Sequence, residues 1–329
     1  VVVRSDDPAV ENQGPIRIVV AESYDEAALT RLAEVGSVTQ LEACDEATLG
    51  EAVLDAHALL VRSTAKVSRG VIGAGKCLRV IGRGGVGLEN VDIEAARERD
   101  ISVVYTPDAA TGAVADLTVG LMIALVRGLR DADTGVRTQQ FTNARRASVG
   151  RDMADLTIGI VGLGRIGRAV ARRCRNGFGC RILYNDIVDP GWLDFSATAT
   201  AKGDLFATSD IVSLHVPLTD ETRGLIDERC LARFKRGAFL INTARGRVVQ
   251  NAALVTALKD GHLAGAALDV FEQEPAAEDD PILGAPNTLF TPHIGARTTQ
   301  GLDRMNLVVE DVIRVLRGEA PEFPAWQTD

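Results

Sequence analysis

The chain has 329 residues, enough for two ordinary domains, and its 46% hydrophobic content is ample for buried cores. With 36 Lys and Arg against 45 Asp and Glu, a net charge of −9, and no basic block interleaved with aromatics, the composition argues against nucleic acid as a partner. No apolar run approaches the roughly 18 residues of a membrane span and no secretory apolar segment opens the chain, so a soluble, cytoplasmic protein without a membrane partner is expected, the missing initiator Met leaving a trimmed start open.

Residues 1–14 (VVVRSDDPAVENQG) carry turn formers without periodicity, which predicts a loosely held N-terminal arm. From Pro15 the pattern alternates. IRIVVAE reads as a strand, YDEAALTRLAEVG as an amphipathic helix ending at Gly36, SVTQLEA as a strand, DEATLGEAVLDA as a helix, ALLVRS as a strand, and the segment to Gly75 as helical. CLRVIGRGG, IEAARERD and ISVVYT repeat strand, helix, strand. Such alternation predicts a parallel sheet covered on both faces and joined by right-handed crossovers. TGAVADLTVGLMIALVRG is a long apolar helix from Thr111 to Gly128, and the polar DADTGVRTQQFTNARRASVGRDMADL reads as a helix end and a long connection.

Next comes TIGIVGLGRIGRAVARR, Thr157 to Arg173, read as strand, tight turn and helix. Gly162, Gly164 and Gly167 form G-x-G-x-x-G, in which the glycines serve a sharp turn, backbone approach to a pyrophosphate, and close helix-on-strand packing. Unpaired amides near Arg165 and Ile166 would face the phosphates. RILYN is the following strand, closed by Asp186 nineteen positions past Gly167. A carboxylate there accepts from the ribose hydroxyls and repels a 2′-phosphate, which favours NAD over NADP. The unit continues through DIVSLHVPL, the helix ERCLARFKRG, the strand AFLINTA, the helix NAALVTALKDG and the strands AGAALDV and NTLFTPH, and a final helix, TTQGLDRMNLVVEDVIRVLRG, is expected to cross back to the first unit. The expected domains are 15–111 plus 297–329, which would bind substrate, and 112–296, which would bind the dinucleotide.

In open α/β sheets ligands sit beyond the C-terminal ends of the strands. Arg245 follows INTA, Glu274 follows AGAALDVFEQ, and His293 follows NTLFTP. They suit hydride transfer to a 2-keto acid: His293 as acid and base, Glu274 to fix its tautomer, and Arg245 to grip the substrate carboxylate. His215, inside IVSLHVP, is expected to pack near the cofactor, and His57 and His262 to lie at the surface or at helix ends. Cys44, Cys77, Cys174, Cys180 and Cys230 contain no C-x-x-C pair, so reduced, mostly buried thiols and no metal site are expected.

The glycine motif with its later acid, NTARGRVV, GAALDVFEQEP and TPHIGA, in this order and spacing, resembles the D-isomer-specific 2-hydroxyacid dehydrogenase family, from Ile16 to Gly318. The resemblance implies an α/β protein of two doubly wound parallel-sheet (Rossmann-like) domains, the smaller discontinuous, acting as a homodimer on a small 2-hydroxy or 2-keto acid. It makes Arg245, Glu274 and His293 the catalytic triad. It places Arg165, Ile166, Asp186, Thr243, Ala244, Asp269 and Gly295 against NAD, with Val216, Pro217 and Thr222 near it. VRSTAKV, with Arg62 and Ser63, and VIGRGGVGLENVDIEAA, with Gly85, Val86 and Gly87, resemble the substrate domain of 3-phosphoglycerate dehydrogenases. Arg62, Lys66 and Arg83 would add charge for a phosphate, which points to 3-phosphoglycerate and serine biosynthesis. The chain ends where longer members continue into regulatory domains, so serine feedback is not expected.

Ala110 stands where those enzymes often have asparagine and Asp116 where most of the family has glutamate. The YTPD and ADL segments are closer to glyoxylate and hydroxypyruvate reductases, which remain an alternative. Arg297 replaces a usual small residue and Phe141 a common tryptophan of the dimer arm. C-terminal-binding-protein corepressors, NAD-sensing binding modules with the same triad, are the rival of another class, but they carry a tryptophan after the histidine where HIGARTTQ has none. A formate dehydrogenase would place glutamine at Glu274.

Overall fold

A computed structural model of the chain describes residues 15–326; the arm expected at 1–14 lies outside them. The chain forms two compact units, one taking it up to Ala110 and resuming at Thr299, the other running Thr111–Thr298.

The first unit strings together β1 (Arg17–Val20), α1 (Glu26–Ala33), β2 (Ser37–Gln40), α2 (Glu46–Ala52), β3 (Ala58–Val61), α3 (Arg69–Ala74), β4 (Val80–Arg83), α4 (Ile93–Arg97) and β5 (Ser102–Tyr105). The strands form one parallel sheet in the order β2-β1-β3-β4-β5. β3, Ala-Leu-Leu-Val, is buried along its whole length, as an interior strand covered on both faces must be. Acids start the helices: Asp25, Asp45 and Asp92 accept from free first-turn amides of α1, α2 and α4, each cap contributing about 1 kcal/mol.

The second unit runs α5 (Thr111–Val126), α6 (Leu129–Arg137), α7 (Phe141–Ala147), β6 (Thr157–Val161), α8 (Arg165–Phe178), β7 (Arg181–Asn185), β8 (Thr198–Ala199), α9 (Lys202–Thr208), β9 (Ile211–Leu214), α10 (Glu228–Leu231), β10 (Ala238–Asn242), α11 (Asn251–Lys259), β11 (Leu263–Leu268) and β12 (Thr288–Phe290). Its seven strands are parallel in the order β12-β11-β10-β9-β6-β7-β8. Two apolar layers cover them, one built on Met122, Leu156, Ile158 and Val170, the other on Leu214, Leu240, Leu254 and Leu268. At the N-terminal edge of this sheet Asp210, 4% exposed, accepts from Arg151 Nη1 and Lys235 Nζ, both at 2.8 Å, and from the Thr157 N–H at 2.9 Å. Burial works against its charge, but these three donors outweigh it and hold the carboxyl below its ordinary value.

After β12 the chain returns to the first unit as α12 (Thr299–Asn306) and α13 (Val308–Leu316). α13 lays Val308, Val309, Val312, Ile313 and Leu316 into the same core as Ile18, Val20 and Leu60.

Several expectations need correction. The final helix is two helices, because buried Asn306 turns inward to bond Arg62 and Asp25, and the Leu307 N–H bonds only three residues back, to Arg304. The connection expected after Gly128 is largely helical. Gly128, at φ 59, ends α5; α6 and α7 bury no residue, so core-facing periodicity gave no signal there. β8 and α9 stand in a stretch to which the sequence pattern had given no element. The thiols are only partly buried: Cys174 and Cys180 are inside, Cys44 and Cys230 intermediate, and Cys77 exposed, and all five are free.

Candidate active site

In the second sheet the chain steps from β6 to β7 and β8 on one side and returns to β9 on the other, so β6 and β9 flank a topological switch point. The turn after β6 is built for close approach. Gly162 has φ 90, and a Cβ there would lie 2.6 Å from the His215 carbonyl oxygen. A Cβ on Gly167 would collide with the Gly162 carbonyl, while one on Gly164 would meet nothing within 4 Å. α8 then starts at Arg165 with no side chain capping its amides. Its first turn therefore offers donors and a partial positive charge of about half an electron, beside the open Gly164.

These residues fit a dinucleotide pyrophosphate. Asp186, at the end of β7, is fastened to the same turn: Oδ2 accepts from the Leu163 N–H at 2.5 Å and Oδ1 from the Val188 N–H at 3.0 Å. Beyond β9, Thr222 braces the loop of Val216 and Pro217, its Oγ1 donating to the Pro217 carbonyl at 2.6 Å. His215 Nε2 lies 2.9 Å from Ser213 Oγ, and burial pushes the imidazole down to about 3.

Beyond β10 the side chain of Asn242 shapes the turn that presents Arg245. Its Oδ1 accepts from the Ala244 N–H at 3.0 Å and its Nδ2 donates to the Arg245 carbonyl at 2.9 Å. Thr243 Oγ1 sits 2.9 Å from Thr118 Oγ1 of α5. Gly246 lets this turn pack on the next one, since a Cβ there would collide with the Phe271 carbonyl. Glu274 accepts from the Phe271 N–H at 3.1 Å through Oε1, and its Oε2 lies 2.6 Å from His293 Nδ1. Burial disfavours the Glu274 carboxylate, but the bonds from His293 and Phe271, with the charges of His293 and Arg245, hold it below its ordinary value.

His293 has φ 52, a left-handed conformation that costs a non-glycine residue about 1–3 kcal/mol. Its N–H donates to the Asp269 carbonyl at 2.8 Å, and the Ile294 and Gly295 amides donate to the Asp269 carboxylate at 2.9 and 2.8 Å. Arg245, Glu274, His293, Asp269 and Gly295 thus stand with the glycine turn on the C-terminal edge of one sheet. Among the described residues no cluster of His, Cys, Asp or Glu could hold a metal ion.

The residues expected to bind substrate lie in the first unit, Arg62 and Ser63 at its own switch point between β1 and β3 and the glycine turn after β4. Glu22 fills that switch point: its carboxylate accepts from the N–H groups of Arg62 at 2.7 Å, Thr64 at 3.2 Å and Ala65 at 3.1 Å. The Arg62 guanidinium donates to the Ser23 carbonyl at 2.7 Å and to Asn306 Oδ1, and lies 4.5 Å over the Tyr24 ring. Ser63 is exposed, and Asn90 ties its loop to the next one, donating to the Arg62 and Ala65 carbonyls at 2.9 and 2.7 Å. Gly85, Val86 and Gly87 form the turn after β4, with Gly85 at φ 145 under the Arg83 side chain. Sequence reasoning missed Asn242, Thr291 and Glu22. All three sit inside segments quoted there, Glu22 as the polar residue that ends IRIVVAE just beyond β1.

A doubly wound sheet with a glycine-turn cradle and an Arg, Glu and His at its strand ends defines a dinucleotide-binding protein. The model for "D-isomer specific 2-hydroxyacid dehydrogenase, NAD binding domain" matches residues 119–295, and the chain belongs to that family. It is 39% identical to the D-3-phosphoglycerate dehydrogenase of Methanocaldococcus jannaschii, over 93% of this chain but only 59% of that one. It is 41% identical to the glyoxylate reductase of Thermofilum pendens, over 93% of both. Among solved structures, D-lactate dehydrogenase from Aquifex aeolicus, complexed with NAD and lactic acid, superposes with a TM-score of 0.84 at 28% identity, covering 92% of this chain and 96% of that one.

Proposed function

We propose that the chain transfers a hydride between NAD and a small D-2-hydroxy acid and its 2-keto acid, with 3-phosphoglycerate and 3-phosphohydroxypyruvate as the first-choice pair. The 2.6 Å contact between His293 Nδ1 and Glu274 carries this reading, set on the same sheet edge as the glycine turn. The bound cofactor would supply the hydride to the acid's C2 as NADH or take it up from C2 as NAD+. Glu274 occupies Nδ1, so Nε2 of His293 gives the proton to the keto oxygen or takes it from the hydroxyl. Arg245 grips the acid's carboxylate and polarises its keto oxygen. Gly162, Gly164, Arg165, Ile166, Gly167 and Asp186 would hold the dinucleotide, with Val216, Pro217, Thr222, Thr243, Ala244 and Gly295 lining its further course.

Reduction of glyoxylate or hydroxypyruvate is the second reading. Arg62, expected to meet a phosphate, instead gives its guanidinium to Ser23, Asn306 and Tyr24, which favours an unphosphorylated acid. The partner we propose is a second copy of this chain. Leu129, Val136 and Phe141 on α6 and α7, and Val149 beyond them, expose large apolar side chains of the kind that association covers.

Steady-state turnover of 3-phosphohydroxypyruvate, 3-phosphoglycerate, hydroxypyruvate and glyoxylate, with His293→Ala as the blank, decides between these readings. A preference of about a hundredfold in kcat/KM for the phosphorylated acids, on the order of 3 kcal/mol, would place the chain in serine synthesis. Preference for the small acids makes it their reductase. NAD binding without turnover of any acid leaves a binding module.

A further inference from the structure

β11 delivers Asp269 to the floor of the site, 1% exposed. Its carboxylate faces the loop that carries His293: Oδ1 accepts from Thr291 Oγ1 at 2.5 Å and the Ile294 N–H at 2.9 Å, and Oδ2 from the Gly295 N–H at 2.8 Å. Three of its roughly four acceptor positions are thereby taken within that one loop. Its backbone extends the grip, its carbonyl accepting from the His293 N–H at 2.8 Å and its N–H donating to the Asn242 carbonyl at 3.0 Å.

From this geometry we infer that Asp269 is a positioning residue, holding the His293 imidazole against Glu274 and in register with Arg245. A left-handed φ at a non-glycine residue persists only where its surroundings over-determine it, and the groups that do so at His293 converge on Asp269. The carboxylate's loss of water is compensated by charge-assisted bonds that exist only while the loop is closed. Opening the loop strands a buried acid, so the place of His293 is all or none. Through Asn242, whose side chain braces Ala244 and Arg245, the same residue is spliced to the turn that presents the cation. The family resemblance assigns Asp269 to NAD; the clamp is a separate task, and it rests on reading His293 as the acid and base.

The test compares Asp269→Asn and Thr291→Val with wild type and His293→Ala in the full chain. Turnover is measured at saturating NADH with the keto acid reduced fastest, NAD affinity by calorimetry, and the strongly deshielded Nδ1 proton of His293 by NMR. An asparagine turns donors toward one of the loop's own donors, and valine removes one clamp without altering the acid. Asp269→Asn should lower kcat about a hundredfold and Thr291→Val about tenfold, the scale of a misplacement of about an ångström. In Thr291→Val, KM and the NAD dissociation constant should stay within about threefold, and the proton signal should broaden in both variants. Wild-type kcat in both, or a weakened NAD affinity in Asp269→Asn at unchanged kcat, would overturn the inference and leave the carboxylate to the cofactor. Wild-type turnover by His293→Ala would instead sink the acid–base reading beneath it. If Asp269→Asn does not fold, Thr291→Val alone decides.

Discussion

Glu274 holds His293 at Nδ1 across 2.6 Å while its second oxygen is tied to the Phe271 N–H, so the imidazole is steered by a carboxylate that is itself anchored. Nε2 is thereby the nitrogen left for chemistry.

Replacing Glu274 by Gln keeps an acceptor but removes the charge that balances an imidazolium. The expected loss in kcat is about a hundredfold or more, measured at saturating NADH. The carboxyl sits below its ordinary 4.5 in the folded chain, so its contribution to stability is complete above that pH and is lost as pH falls through the depressed value. Urea midpoints of wild type and Glu274→Gln should therefore differ at neutral pH and converge in acid.

His215 contributes in the same sense, over a higher pH window. Its folded value of about 3 lies below its ordinary 6.5, so between these limits the unfolded chain takes up a proton that the folded chain refuses. Stability falls as pH drops through that window. From pH 6.5 to 5 the loss from this group is on the order of 1–2 kcal/mol. A His215→Gln variant should lose less over the same interval in denaturant titrations.

Asp186 is already fixed by Leu163 and Val188, so its carboxylate is set in place before a ribose arrives. Asp186→Ser should lower kcat/KM with NAD and raise it with NADP, shifting the ratio by about a hundredfold. An unchanged ratio would remove Asp186 from cofactor selection.

Arg62→Ala separates a structural arginine from a substrate cation. Loss of the bonds to Ser23 and Asn306 and of the Tyr24 face should destabilise folding by about 2 kcal/mol, seen as a lower Tm. A KM change at constant Tm would return Arg62 to the substrate.

Backbone constraints were the legible part of this fold. Gly162 and Gly167 stand where a side chain would strike the His215 and Gly162 carbonyls, so the turn and its spacing announce themselves in the sequence. Parallel strands such as β3 show as short apolar runs for the same reason: they are covered on both faces. What stayed hidden depends on distant partners. Arg62 meets residues 39 and 244 positions away, and the Glu22 carboxylate that closes the β3 loop comes 40 positions before Arg62. Asn306, read as part of one long helix, breaks it because its side chain has those partners inside. α6 and α7 were missed because their few large apolar residues, Leu129, Val136 and Phe141, stand exposed in otherwise polar segments and face no core.

Asp210 and its two cations rivet the N-terminal rim of the larger sheet, while Gly162, Arg245 and His293 occupy the opposite rim. The loops that would meet substrate can therefore be altered on one rim while the opposite rim keeps the sheet's strands in register.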